Sequence, residues 1–127
     1  MHKSRLAGFI IDCQTPELEQ AARFWSAALG YPIKAPIKPE DSAYRTLETP
    51  AQDVHIEVQQ VDHASRVHLD IESDDIEAEV RRLEGLGAKR VRQLRTWWVM
   101  EAPSGQRFCV VRPQRAGFEH EANTWVE

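Results

Sequence analysis

His68 and Asp70 stand two residues apart in the run RVHLDIES (66–73), and Glu72 follows at the same interval. A neutral imidazole beside a carboxylate can take up and return a proton. It can equally ligate a metal while the carboxylate fixes its orientation. The plain alternative is a histidine hydrogen-bonded within a polar cavity and doing no chemistry. Upstream, in DVHIEVQQV (53–61), His55, Glu57 and Gln59 alternate with Val54, Ile56 and Val58. Glu57 can ligate a cation or hold the cationic group of a ligand, or the whole row can be a solvated sheet face. Cys109, in RFCVV, adds a thiol. It becomes a nucleophile only where its pKa is lowered, and is otherwise a small filler of the kind free cysteine often provides.

Further residues bear on such a site. Asp12 shares the alternation of Gly8 and fits a hydrogen bond at a strand end, or water, better than ligation. Trp97 and Trp98 are adjacent, so in a strand they face opposite ways. One belongs to the core; the other, assigned to Trp98, walls a ligand site where an indole can stack on an aromatic ring or meet a cation. Cys13 and Trp25 read as core. Phe118 and Trp125 lie in a tail without an element of its own, which either frays, folds back over the site or docks on a partner.

The elements that must position these residues are written twice. Residues 5–13 form an apolar strand. A helix then starts at Thr15-Pro16-Glu17, with Thr15 as cap and Pro16 in the first turn, and Gly30 stops it. Leu18, Ala22, Trp25 and Leu29 give its apolar stripe. Strands follow at 31–37, 43–48 and 53–61. In the second half, strand 66–73 leads to a helix opened by Asp74 and Glu77 as a capping box, striped by Ile76, Val80 and Leu83 and ended near Gly87. Strands 88–94, 96–102 and 106–112 follow. Both halves read β-α-β-β-β, an α+β pattern of mostly antiparallel hairpins with one helix per module. Module one spans about 5–61 and module two about 66–112, with a C-terminal tail at 113–127, all in one domain.

Composition bounds the rest. The 127 residues are 42% apolar and 28% charged, as in a soluble globular domain, and long enough to bury a core. A formal charge of -4 without a basic run excludes nucleic acid and anionic membrane surfaces as partners. No window reaches the length of a membrane span, and the N-terminus meets acid and proline too soon for a signal peptide. Two cysteines far apart fit a reducing compartment, so a cytoplasmic location is expected. A phosphate-cradling glycine loop, a serine elbow and paired zinc cysteines are all missing.

The phrases FIIDCQTPE leading to ARFWSAALGYPI, RVHLDIESDDIEAEVRRLEGLGAKRV, WWVMEAPSGQRFCVV and GFEHEANTW resemble the vicinal oxygen chelate superfamily. Its members include glyoxalases, extradiol dioxygenases and bleomycin-resistance proteins; the likeness is closest to its glyoxalase-like domain branch and spans Leu6 to Trp125. The resemblance implies a curled, cup-shaped sheet, a homodimer, and a small molecule bound in the cup. It also implies four cup-facing metal-ligand positions, which fall at Gly8, Glu57, His68 and Cys109. Two carry the expected ligand types; the glycine and the thiol do not. The expectation is therefore a binder without a metal or other cofactor, sequestering a small organic molecule or performing modest acid–base chemistry through His68. Glu57, His68, Asp70, Cys109 and Trp98 would be its contacts. The alternative is a lyase or dioxygenase using one divalent metal ion held by Glu57 and His68.

Overall fold

The computed structural model describes residues 1–35 and 37–127. The chain forms two compact units, Gly8–Val67 and a second made of Met1–Ala7 with His68–Glu127. Strand β1, His2–Gln14, contributes its first residues to the second unit and its remainder to the first.

In the first unit β1 pairs in parallel with β3 (His55–Val61), from Gly8 opposite His55 to Gln14 opposite Val61. Strand β2 (Tyr44–Leu47) lies antiparallel on the other side of β3. Helix α1 (Leu18–Leu29) packs Leu18 and Ala22 onto Val58, with Cys13 and Trp25 against them, so both residues join the core as read. Gly30 closes the helix in the left-handed conformation, as its position predicts.

Two details of this half differ from the sequence reading. Thr15 does not cap α1: its Oγ1 accepts the N–H of Glu17 in a local turn, and the cap position passes to Glu17. No regular strand covers the described part of 31–37, and Pro36 lies outside the described residues. An isolated bridge from Ile33 to Leu47 stands in its place, flanked by Lys34 N–H to Thr46 O and Glu48 N–H to Pro32 O. Pro32 has no N–H to give, which limits how far pairing can extend.

The second unit follows the β-α-β-β-β order: β4 (Arg66–Ser73), α2 (Ile76–Gly85), β5 (Lys89–Leu94), β6 (Trp97–Glu101) and β7 (Arg107–Val111). Strand β7 pairs in parallel with β4 and antiparallel with β6, which pairs with β5. Helix α2 covers one side, where Val80 and Leu83 pack on Met100, Phe108 and Val110. Its cap is Asp75, whose Oδ1 accepts from Ala78 N–H, one residue after the predicted start. Asp74 is otherwise engaged, accepting the Lys3 N–H at 2.8 Å.

The tail also departs from expectation, because it has elements of its own. Helix α3 (Phe118–Glu121) buries Phe118, and β8 (Asn123–Trp125) pairs antiparallel with the start of β1, Ser4 opposite Asn123. These elements are short and held by groups far away in sequence, so no local periodicity announces them. Among the described residues, no helix is long and apolar enough to cross a membrane.

Candidate functional site

Parallel pairing of β4 and β7 sets Asp70 beside Cys109, Leu69 beside Phe108 and Ile71 beside Val110. Residues in register share a face. His68, Asp70 and Cys109 therefore stand on one side of this sheet, and Phe108 and Val110 meet α2 on the other. Nitrogen, oxygen and sulfur atoms of the three polar residues all lie within 4.8 Å of one another. His68 Nε2 is 3.6 Å from Asp70 Oδ1, a charge-pair distance rather than a hydrogen bond. Asp70 is buried, and its Oδ1 has no hydrogen-bond partner among the described residues.

Burial along β4 runs against the usual amphipathic sense. The polar positions Asp70 and Glu72 are buried, and the apolar Val67 and Leu69 are 59% and 42% exposed. Helix α2 reaches Ile71, and its core ends there.

Glu72, third in the polar row, is not part of the cluster. It is fully buried, takes the Arg5 Nε–H at 2.6 Å on Oε2, and accepts the N–H groups of Gln114 and Arg115 on Oε1. Arg5 in turn donates to the carbonyls of Arg115 and Ala116. Glu72 thus anchors the chain after β7. Its alternation with His68 and Asp70 gave no sign of this, because the partners are distant in sequence.

The assignment of Trp98 to the site is corrected. Trp98 sits opposite Val110 in the β6–β7 pair and packs with Met100 against the α2 core, with the Arg90 guanidinium 4.9 Å above its ring. Val99 is the residue opposite Cys109, so alternation puts Trp97 on the side of Cys109.

Glu57 belongs to the first unit, on β3, in register with Ile10 and Thr46. Thr46 Oγ1 lies 3.4 Å from its Oε2. Next along the same face, Gln59 Nε2 donates to Tyr44 Oη. The glycine at position 8 has a packing cause: a β-carbon there would fall 2.3 Å from the His55 carbonyl oxygen. Asp12 is buried, with Arg66 Nε 3.8 Å from its Oδ2.

A second polar group, unforeseen in the sequence, gathers around Glu79 of α2. This fully buried carboxylate takes bonds from Arg82 Nε and Nη2, from Ser4 Oγ at 2.7 Å, and from His2 Nε2 at 2.8 Å. Trp125 Nε1 donates to Ser4 Oγ, and its ring lies under the Arg82 guanidinium at 3.8 Å. His2 Nδ1 meets Glu127, as does the terminal amine. Every charge here has a partner, which marks the group as structural.

Comparison with known proteins places these features in a family. Residues 8–111 match the family of the glyoxalase-like domain. Among solved structures, a hypothetical protein, BH1468, from Bacillus halodurans C-125 superposes with a TM-score of 0.64 at 12% identity, covering 89% of this chain and 97% of that one. Methylmalonyl-CoA epimerase from Mycobacterium tuberculosis gives 0.63 at 17% identity, covering 86% and 87%. A glyoxalase/bleomycin resistance protein/dioxygenase superfamily member from Vibrio splendidus 12B01 gives 0.51 at 17%, covering 84% and 98%. No curated protein matches the chain significantly. The chain belongs to the glyoxalase-like domain family and has the α+β fold of the glyoxalase/bleomycin resistance/dioxygenase superfamily.

Proposed function

We propose that this protein binds a small organic molecule on the polar side of β4 and β7, with His68, Asp70 and Cys109 as its contacts and His68 as the proton-transfer group. One observation carries the reading: a buried carboxylate oxygen of Asp70 has no hydrogen-bond partner among the described residues, and an imidazole nitrogen stands 3.6 Å away. Leaving such an acceptor unsatisfied costs about 1–3 kcal/mol, so a purely structural role gives no reason to keep it. An imidazole beside a carboxylate can take up and return a proton, and the Asp70 carboxylate stabilises the imidazolium that forms. Under this proposal no metal takes part, and the protein acts as a cytoplasmic homodimer.

A divalent ion on the same cluster is the second reading, favoured by the 4.8 Å convergence of one nitrogen, one oxygen and one sulfur donor. That donor set suits zinc, and the unsatisfied Asp70 oxygen fits a cation, so the residues present are compatible with it. When bound, the ion would supply a Lewis acid toward an oxygen-bearing ligand.

Metal content of protein purified without chelator or added metal separates the two. The metal-free reading expects well below one equivalent of nickel, zinc, iron or manganese per chain. A stoichiometric metal that disappears in His68→Ala overturns it in favour of the ion. Ligand binding is tested by thermal shift against a panel of small organic acids. The proposal expects a compound that stabilises the wild type and leaves His68→Ala unshifted. A compound that shifts both equally contradicts the site.

A further inference from the structure

A cleft of about 680 Å³ opens where β4 and β7 end, lined by Ser73, Asp74, Asp75 and Ile76 on one side and by Arg95, Thr96, Arg112 and Pro113 on the other. It shares no residue with the His68, Asp70 and Cys109 cluster. Its volume lies within the range of small-molecule sites.

One oxygen of each aspartate is already committed. Asp74 Oδ1 holds the Lys3 N–H, and Asp75 Oδ1 caps α2 through Ala78 N–H. Ser73 Oγ donates to the Lys3 carbonyl. The two arginines are not committed: neither makes a hydrogen bond or ion pair among the described residues. Eight other arginines do, from Arg5 and Arg45 through Arg66, Arg81, Arg82, Arg90 and Arg107 to Arg115. The uncommitted side-chain donors lining this cleft, among the described residues, are therefore the two guanidinium groups and the Thr96 hydroxyl.

Arg95 is also costly where it stands. It occupies the tight β5–β6 turn with φ +46°, and it is the sole non-glycine residue with positive φ among those described. Glycine or asparagine is the usual occupant of such a position, and a long side chain there is strained. A guanidinium fork gives a reason for the exception, because two such forks present paired donors that match an oxyanion bidentately.

We infer that this cleft is an oxyanion site, in which Arg95 and Arg112 grip a phosphate or carboxylate group of a small molecule. The inference stands apart from the proposed role of His68, since either site can fail without the other.

The test uses the full chain and three probes in low-salt buffer, namely inorganic phosphate, pyrophosphate and succinate, followed by isothermal titration and amide chemical-shift mapping. Saturable binding is expected for at least one probe, with shifts at residues 95, 96 and 112; phosphate against succinate tells which oxyanion source fits. Arg112→Gln should weaken it at least tenfold. Arg95→Gly should do the same yet raise the melting temperature, because glycine relieves the turn. Absence of saturable binding by all three probes overturns the inference. So does binding that survives unchanged in both variants.

Discussion

Three buried carboxylates on neighbouring elements meet different fates. Glu72 receives Arg5 and two backbone N–H groups, Glu79 receives Arg82, Ser4 and His2, and one oxygen of Asp70 has no hydrogen-bond partner among the described residues. The first two hold the structure. Glu72→Gln should destabilise the protein by about 3 kcal/mol, because it removes the buried counter-charge of Arg5 and leaves only the exposed Glu121. Urea unfolding should show a lower midpoint at unchanged slope; a midpoint equal to wild type would remove Glu72 from the anchor. Alternation in the sequence was enough to put His68, Asp70 and Cys109 on one face. It could not distinguish Asp70 from Glu72, whose Arg5 partner lies 67 residues away. Nor could it resolve Trp97 from Trp98, since adjacency guarantees only that they differ, and the cross-strand partner of each decides which is inside.

Between elements, the start of β1, helix α2 and strand β8 are joined through His2, Glu79 and Trp125. Burial pushes the His2 imidazole down, but its bonds to Glu79 and Glu127 outweigh this and raise its pKa above the usual 6.5. Burial pushes Glu79 up, and bonds from Arg82, His2 and Ser4 outweigh that, leaving it below the usual 4.5. The raised histidine contributes stability that is complete below its unfolded pKa and is lost as pH rises through the folded one. The lowered glutamate contributes stability present above its unfolded pKa and lost as pH falls through the folded one. Melting temperature should therefore be highest between about pH 4.5 and 6.5 and decline above that. His2→Gln should flatten the decline; an identical slope in the variant would exclude His2 as its source. The helices and most strands of both modules were legible from stripes, glycine stops and period-two runs. Helix α3 and β8 were not, because pairings such as Ser4 with Asn123 and the Arg82–Trp125 stack are long-range contacts that leave no local pattern.

Over the whole molecule, two units of related order share β1, and the family assignment covers residues 8–111. The proposed homodimer predicts a solution mass of twice 14.6 kDa by sedimentation equilibrium, and a mass of 14.6 kDa at working concentration contradicts it. The fold was readable because the β-α-β-β-β pattern is written in both halves, although one strand of the first is reduced to an isolated bridge at Ile33. The reaction was less so, since the departures from the family pattern at Gly8 and Cys109 have different causes. Gly8 answers to the close approach of His55, a packing requirement, whereas Cys109 lies within the donor cluster. The claim on which the functional reading rests is that Asp70 is kept for a ligand or a proton and not for the fold. Equilibrium unfolding of Asp70→Asn tests it most directly. Replacing a buried, unsatisfied carboxylate oxygen with a neutral amide should leave stability equal to or up to about 2 kcal/mol above wild type. A loss of about 2 kcal/mol or more would make Asp70 a structural residue and contradict the account.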